Sequence, residues 1–331
     1  METVLITGGG GFLGKAIARR LVAEGKHVKS LSRRRYPALD RLDVEQIQAD
    51  IADAKAVENA CRGVDVVFHT AAKAGVWGSE DDFFRTNVIG TRNVVSGCLN
   101  HGVPVLVHTS SPSVVFNGRD MEGVDERVPY PDRYHAAYPR TKALAEREVL
   151  QSVRKGLSAV ILRPHLIWGP EDNHLVPRIL ERAEKLAIIG SGRNRVDVLY
   201  IDNAVHAHVQ AAEKLKENPF LSGRIYFISQ GEPVHLWEMI NRILEAGGKQ
   251  PLKRSIPTSA AYVMAACMEA WYRLFGVESE PRLTRFVVRE LATSHWFDIS
   301  AARRDLGYVP EVSIEEGLNR LKQWLNTAPN L

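Results

Sequence analysis

The chain is poor in the features that would place it at once. Its three cysteines, Cys61, Cys98 and Cys267, are scattered over 331 residues. An odd number at these spacings gives neither a disulfide framework nor a metal centre, so a reducing cytoplasm is the expected setting. Charge of one sign is scarce. The 43 Lys and Arg against 39 Asp and Glu leave a net +4, spread out apart from Arg33-Arg34-Arg35, which argues against a nucleic-acid surface. Long hydrophobic runs are missing too. The nearest, Ser259 to Gly276, is broken by Glu269 and Arg273, so no transmembrane helix is expected. Met1 to Lys15 is too strand-like and glycine-rich for a secretory signal. Repeats and low-complexity tracts are absent. Hydrophobic content of 45% and charged content of 25% are those of a soluble globular protein with one large or two moderate domains.

What is present begins at once. Thr3 to Thr7 is a short β-branched apolar run, Gly8-Gly9-Gly10-Gly11-Phe12-Leu13-Gly14 follows, and Ala16, Ile17, Leu21 and Val22 then recur at helical spacing. Strand, glycine turn and helix open a dinucleotide-binding unit. Gly8 suits a sharp turn with positive φ, Gly11 leaves room for a pyrophosphate, and Gly14 permits close packing of helix on strand. The phosphates would meet free N–H groups at the helix N-terminus, where the dipole favours negative charge.

The second strand, His27 to Leu31, runs into Ser32-Arg33-Arg34-Arg35. Such units often place an acid there for the ribose 2′-OH. Arginine instead grips a 2′-phosphate, so NADP(H) is favoured over NAD(H). Ile47 to Asp50 reads as a third strand, with Asp50 and Ile51 at the adenine edge, although a turn cap explains Asp50 nearly as well. Val66 to His69 reads as a fourth strand. The small residues Thr70, Ala71 and Ala72 after it suit a backbone passing close to a cofactor. A helix over Asp81 to Asn100 carries Asn87. Val103 to Thr109 is a fifth strand, ending in Ser110-Ser111-Pro112-Ser113 at the edge where α/β sheets place their chemistry. Ser158 to Leu162 and Arg224 to Ser229 are further strands, and Asp202 is read as the N-cap of a helix over Ala204 to Leu215. The fold class is therefore α/β: a doubly wound parallel sheet with a smaller, interleaved C-terminal substrate-binding region. The cofactor core covers 1–165 and the substrate region 166–331, with 196–230 returning to the core.

Tyr138 and Lys142 stand four residues apart at the start of a helix, on one face. A neighbouring ammonium favours the phenolate, which makes a tyrosine usable as a proton donor near neutral pH.

These residues together resemble an extended short-chain dehydrogenase/reductase. The resemblance rests on Thr7-Gly8-x-x-Gly11-x-x-Gly14, Ser111, Tyr138, Lys142, Tyr200-Ile201-Asp202-Asn203 and the closing Arg303-Arg304-Asp305-Leu306-Gly307-Tyr308-x-Pro310. Within that family the chain is similar to 3β-hydroxysteroid and sterol-4-carboxylate 3-dehydrogenases. It is more similar still to bacterial 2-alkyl-3-ketoalkanoate reductases of long-chain olefin biosynthesis, through Ala71 to Gly78, Arg163 to Leu175, Leu283 to Phe286 and His295-Trp296. The resemblance implies a seven-stranded parallel sheet and a catalytic set of Ser111, Tyr138 and Lys142. It implies a cofactor site drawing on Gly8, Gly11, Phe12, Leu13, Gly14, Ser32, Arg33, Arg34, Asp50, Ile51, Thr70, Ala71, Ala72, Lys73, Asn87, Thr109, Ser110, Tyr138 and Lys142, with Pro164, Leu166 and Ile167 beside the nicotinamide. Pro112 departs from the family pattern after the catalytic serine and leaves Ser110 or Ser111 open, with motif alignment favouring Ser111.

The expected reaction is reduction of a 3-keto to a 3-hydroxy group on a 2-alkyl-3-ketoalkanoic acid. A steroid or sterol 3-dehydrogenase is the first alternative. A nucleotide-sugar epimerase and a catalytically silent redox sensor are weaker ones, since the stretch from 259 to 276 is apolar and the Tyr-Lys pair is intact. Tyr262, Met264, Met268, Trp271, Tyr272, Leu274 and Phe275 are candidates to line an acyl pocket, and Arg178 or Arg193 to bind the carboxylate. Expected partners are a long-chain apolar small molecule, a second copy of the chain and other enzymes of an olefin pathway. A cytoplasmic location, peripheral to a membrane, is expected.

Overall fold

The computed structural model describes residues 1–327. Seven strands form its central sheet: β1 (Thr3–Thr7), β2 (His27–Ser32), β3 (Glu45–Gln48), β4 (Val66–His69), β5 (Val105–Thr109), β6 (Ala159–Pro164) and β7 (Ile225–Ile228). Their order is β7-β6-β5-β4-β1-β2-β3 and every neighbouring pair is parallel. Continuous runs such as Val66-Val67-Phe68, Val105-Leu106-Val107 and Val160-Ile161-Leu162 are wholly buried, because helices cover both faces of a parallel sheet. The order reverses between β1 and β4, and a crevice opens there at the carboxyl ends of the strands.

α1 (Phe12–Ala23) turns Ile17 and Leu21 to the sheet, while Lys15 and Arg19 reach outward to Glu171. The helix expected over Asp81 to Asn100 is present but irregular. Glu80–Phe83 leads into a π-turn at Phe84–Ile89 and then α2 (Gly90–His101). Inside the π-turn, Asn87 is turned inward and clamps two neighbours, a use typical of such bulges. α3 (Ala137–Val153) and α4 (Ile201–Glu217) complete the cover relevant to the site.

Two local expectations are corrected. β3 lies at Glu45–Gln48, two residues before the expected strand, because Asp50 folds back to accept the Ala52 N–H at 2.9 Å. Asp202 is not an N-cap: Tyr200 holds that position, and Asp202 sits exposed in the first turn, 3.0 Å from Arg320.

A second, four-stranded sheet stands over the carboxyl edge, in the order Val234–His235, Arg195–Val196, His295–Phe297, Met121–Val124. Met121–Val124 comes from the first half of the chain, so the two regions exchange strands. Phe227 of β7 stacks on Phe297 at 4.3 Å and joins the layers. α5 (Thr258–Leu274) and α6 (Arg285–Ala292) pack on one another beside this sheet.

Candidate active site

The glycine loop forms a cradle that side chains would fill. Gly8 has φ +75°, and a Cβ there would lie 2.8 Å from the Ala71 backbone. At Gly14 a Cβ would come within 3 Å of the Gly8 carbonyl, Gly9 Cα and Thr70 Oγ1. Gly11 caps α1 without a side chain, and its N–H bonds the Gly8 carbonyl at 2.9 Å. The N–H groups of Phe12, Leu13 and Gly14 therefore begin the helix with no intrahelical acceptor. Loop and helix end fit a pyrophosphate. Thr70 Oγ1 ties the exit of β4 to the Thr7 carbonyl at 2.8 Å, and Ala71 and Ala72 follow along the loop's edge.

Beyond β2, Ser32 Oγ lies 3.5 Å from the Gly10 N–H. Arg33 and Arg34 are exposed, Arg34 over the Tyr36 ring at 5.1 Å. Neither has a carboxylate within 4 Å among the described residues, whereas Arg35 is taken by Asp40 at 2.8 Å. Asp50 accepts from Ala52 and pairs with Arg85 at 2.8 Å, so both its oxygens are engaged. Ile51 is buried, its side chain filling the space over Gly90.

At the end of β5 the chain breaks into Ser110 and Ser111. Ser110 is buried, with its hydroxyl unpartnered among the described residues. Ser111 starts the short turn Pro112–Val115, accepts from the Ser113 N–H at 3.2 Å, and its hydroxyl lies 3.0 Å from that of Ser113. Of the two serines it is Ser111 whose hydroxyl acts on Tyr138, holding the phenol down. Pro112 suits the first position of that turn.

α3 presents Tyr138, Lys142 and Glu146 one turn apart on a single face. Lys142 Nζ donates to the Thr109 carbonyl at 2.6 Å. Behind it His208 Nδ1 donates to the Ala204 carbonyl at 2.7 Å, which leaves Nε2 to accept from Thr109 Oγ1 at 2.9 Å. Asn87 Nδ2 donates to Thr141 Oγ1 at 2.9 Å and to the Lys73 carbonyl at 3.1 Å, and Oδ1 accepts the Lys73 N–H at 2.7 Å. One amide thereby fixes the loop after β4 against α3. Lys73 Nζ itself turns away to Asp82 at 2.8 Å.

The electrostatics differ from the expectation for the Tyr-Lys pair. Burial pushes the Tyr138 hydroxyl up to about 12, the Ser111 hydroxyl opposes this, and the Glu290 carboxyl adds to it. Burial thus outweighs the charge of Lys142, whose ammonium donates one of its three N–H groups to the Thr109 carbonyl. Burial also brings Lys142 down to about 8, and Glu146 opposes that. The rings of His69 and His108 meet at a tilt of 51°, with centroids 5.0 Å apart. Burial holds both neutral, His69 at about 3.

Past β6, Pro164 leads to His165, whose backbone N–H bonds the Ile228 carbonyl at 3.1 Å. Leu166 takes φ +44°, which swings Ile167–Trp168 out to pair with Leu199–Tyr200. Three groups near this face were given no role in the sequence reading. Glu146 and Arg163 form a buried ion pair at 2.8 Å. His165 Nε2 and His295 Nδ1 lie 2.7 Å apart. The carboxyl of Glu290, on α6, has no hydrogen-bond partner among the described residues, and burial pushes it up to about 7. The i+8 spacing of Glu146 from Tyr138 was the one available hint, since it puts both on the same helical face.

The apolar stretch now at α5 is split by its period. Tyr262, Met268 and Tyr272 are half-buried on the inner side, with Tyr272 edge-on to Trp77 at 6.0 Å. Val263, Met264, Trp271, Leu274 and Phe275 face outward. The inner end borders a cleft of about 680 Å³ lined by Lys73, Trp77, Ala137, Tyr272 and Arg273 among others. Arg178 is engaged by Glu280 at 3.1 Å, and Arg193 is exposed. Among the described residues no helix is long and apolar enough to cross a membrane.

Residues 5–258 match the profile of the 3-beta hydroxysteroid dehydrogenase/isomerase family. A 2-alkyl-3-oxoalkanoate reductase of Stenotrophomonas maltophilia is 48% identical over 96% of this chain and 98% of its own. The sterol-4-alpha-carboxylate 3-dehydrogenase (decarboxylating) of Mus musculus is 32% identical over 96% and 89%. Among solved structures, the UDP-glucuronic acid 4-epimerase of Bacillus cereus, in complex with NAD, superimposes with TM-score 0.76 at 22% identity, covering 98% of both chains.

Proposed function

Because the chain belongs to the 3-beta hydroxysteroid dehydrogenase/isomerase family, we propose that it reduces 2-alkyl-3-oxoalkanoic acids to 2-alkyl-3-hydroxy acids with NADPH. It is an NAD(P)-dependent oxidoreductase, an alcohol dehydrogenase or ketone reductase. The observation that carries the reading is the cluster of Ser111, Tyr138 and Lys142 at the end of β5, beside the glycine cradle. The substrate class rests on the 48% identity to a reductase of that name.

Gly8, Gly11, Phe12, Leu13 and Gly14 hold the pyrophosphate in this reading, and Ser32, Arg33 and Arg34 the 2′-phosphate. Two exposed arginines without an acid partner favour NADP(H) over NAD(H). Pro164, Leu166 and Ile167 flank the nicotinamide. When bound, the cofactor supplies a hydride to the carbonyl carbon. Tyr138 gives its proton to the carbonyl oxygen, and Ser111 holds the same oxygen by a hydrogen bond as negative charge grows there. Lys142 carries the positive charge that steadies the phenolate left behind. Thr109, His208 and Asn87 keep lysine and tyrosine in place.

Acyl chains lie along the inner face of α5, near Tyr262, Met268 and Tyr272. Its outer face, with Trp271, Leu274 and Phe275 exposed, suits a second copy of the chain, neighbouring enzymes that hand over apolar intermediates, or the surface of a membrane. The test is NADPH oxidation by the purified protein against long-chain 2-alkyl-3-oxo acids, 3-oxosteroids and UDP-sugars. Turnover confined to the 3-oxo acids supports the proposal. Activity with steroids and none with the acids moves the assignment to the steroid branch.

A further inference from the structure

Of the two arginines that the sequence offered for a carboxylate, Arg178 is paired with Glu280 and Arg193 is exposed, yet a 3-oxo acid places its carboxylate two bonds from the reacting carbon. From the geometry of α6 we infer that Arg289 is that anchor; the inference rests on the function proposed above and names the residue that recognises the acid. Arg289 sits where the segment leaving Ser111 and the segment reaching Tyr138 meet. Phe286, one turn earlier on α6, is edge-on to Phe116 at 6.0 Å, and Phe116 closes the Ser111 turn. The next residue after Arg289, Glu290, is near enough to Tyr138 for its charge to raise the phenol.

The guanidinium is held without being neutralised. One terminal nitrogen donates to His135 Nε2 at 2.7 Å, three residues before Tyr138. The other donates to the Tyr262 hydroxyl at 3.3 Å, and the group lies over that ring at 5.5 Å. Because arginine only donates, His135 accepts and stays neutral, and the proximity of Arg289 and burial both favour that state. Gly118 provides clearance, since a Cβ there would come within 2.8 Å of the guanidinium. No carboxylate lies within 4 Å among the described residues. By contrast, Arg178 is paired with Glu280, Arg285 with Glu269 and Arg163 with Glu146. A half-buried, oriented guanidinium with unspent N–H groups matches the fork geometry of a carboxylate. His135 and Tyr262 act as positioning residues that aim it.

The test uses the oxidative direction, because 3-hydroxy acids are stable and 3-oxo acids lose carbon dioxide in solution. The full-length protein is assayed with NADP+ on a 2-alkyl-3-hydroxyalkanoic acid and on its methyl ester. Arg289→Gln should lower kcat/KM for the acid by about 10- to 100-fold, the scale of a hydrogen bond to a charged group, and leave the ester within about threefold. Arg289→Lys should recover part of the loss, since the charge returns without the fork. An equal loss on acid and ester shows a structural role and overturns the anchor, as does an unchanged acid rate. Failure of the unaltered protein to oxidise any hydroxy acid overturns the proposed function, and the anchor with it.

Discussion

Replacing Glu146 by glutamine removes the negative half of an ion pair that has almost no contact with water. Glu146 and Arg163 are 0% and 2% exposed. They meet through two hydrogen bonds, Arg163 Nε to Oε1 at 2.9 Å and Nη2 to Oε2 at 2.8 Å. Tyr130 donates a third to Oε2 at 2.6 Å. Arg163 lies between the rings of Tyr130 and Phe227, at 5.7 and 5.3 Å, and its remaining Nη1 has no partner among the described residues. Loss of the carboxylate charge strands the guanidinium in this apolar slot, a change that costs about 3–5 kcal/mol when one partner of a buried pair is removed. An unfolding entropy of about 2.1 cal/mol/K per residue over 331 residues converts this to a fall in Tm of roughly 4–7 °C. The double replacement Glu146→Met with Arg163→Met removes both charges and should regain most of the loss. Kinetics give a second reading. Glu146 props up the pKa of Lys142, which burial has already brought to about 8. In Glu146→Gln the lysine loses its proton at lower pH, so the alkaline limb of kcat/KM moves to lower pH. Thermal melts by circular dichroism and pH profiles of NADPH oxidation measure both effects. A single variant melting within 1 °C of the parent, or a double variant as unstable as the single, would refute the reasoning.

Tyr138→Phe keeps the ring and removes the proton donor, so turnover should fall by about 10²-fold or more while NADPH still binds; near-normal turnover would show that another group supplies the proton. Alanine at both Arg33 and Arg34 should weaken NADPH by roughly 10- to 100-fold and spare NADH, and equal affinity of the unaltered protein for the two cofactors, by fluorescence titration, would remove the 2′-phosphate assignment. Burial pushes the Glu290 carboxyl up to about 7, above the ordinary value of about 4.3. The folded state therefore holds the proton more tightly than the unfolded state, and stability falls as pH rises between those values. Glu290→Gln should raise Tm more at pH 8 than at pH 5, and a pH-independent change would show that ionisation is not the cause.

Short-range pattern determined a good part of this protein. Thr3 to Gly14 fixed β1, the glycine turn and α1, because strand propensity, positive φ at Gly8 and the tight packing at Gly14 are local or nearly local demands. Tyr138 and Lys142 were legible because four residues on a helix always share a face. The continuous apolar strands announced a sheet covered on both sides. Elsewhere the sequence misled. Ile47 to Asp50 has a strand's composition, yet Asp50 prefers a turn bond to Ala52 and the strand ends before it. Asp202 has a cap's side chain but was drawn to Arg320, 118 residues away. Tertiary structure alone decided the electrostatics of Tyr138 and Lys142: burial raises the phenol, and Lys142 Nζ is anchored on the Thr109 carbonyl of β5. It also decided which arginine is left for a ligand. Arg178 and Arg289 are alike in sequence, each an arginine on a short helix. Folding brings Glu280 to the first, and only a neutral histidine and a tyrosine to the second. A side chain's identity is local, but the partners that spend or free its charge come from anywhere in the chain.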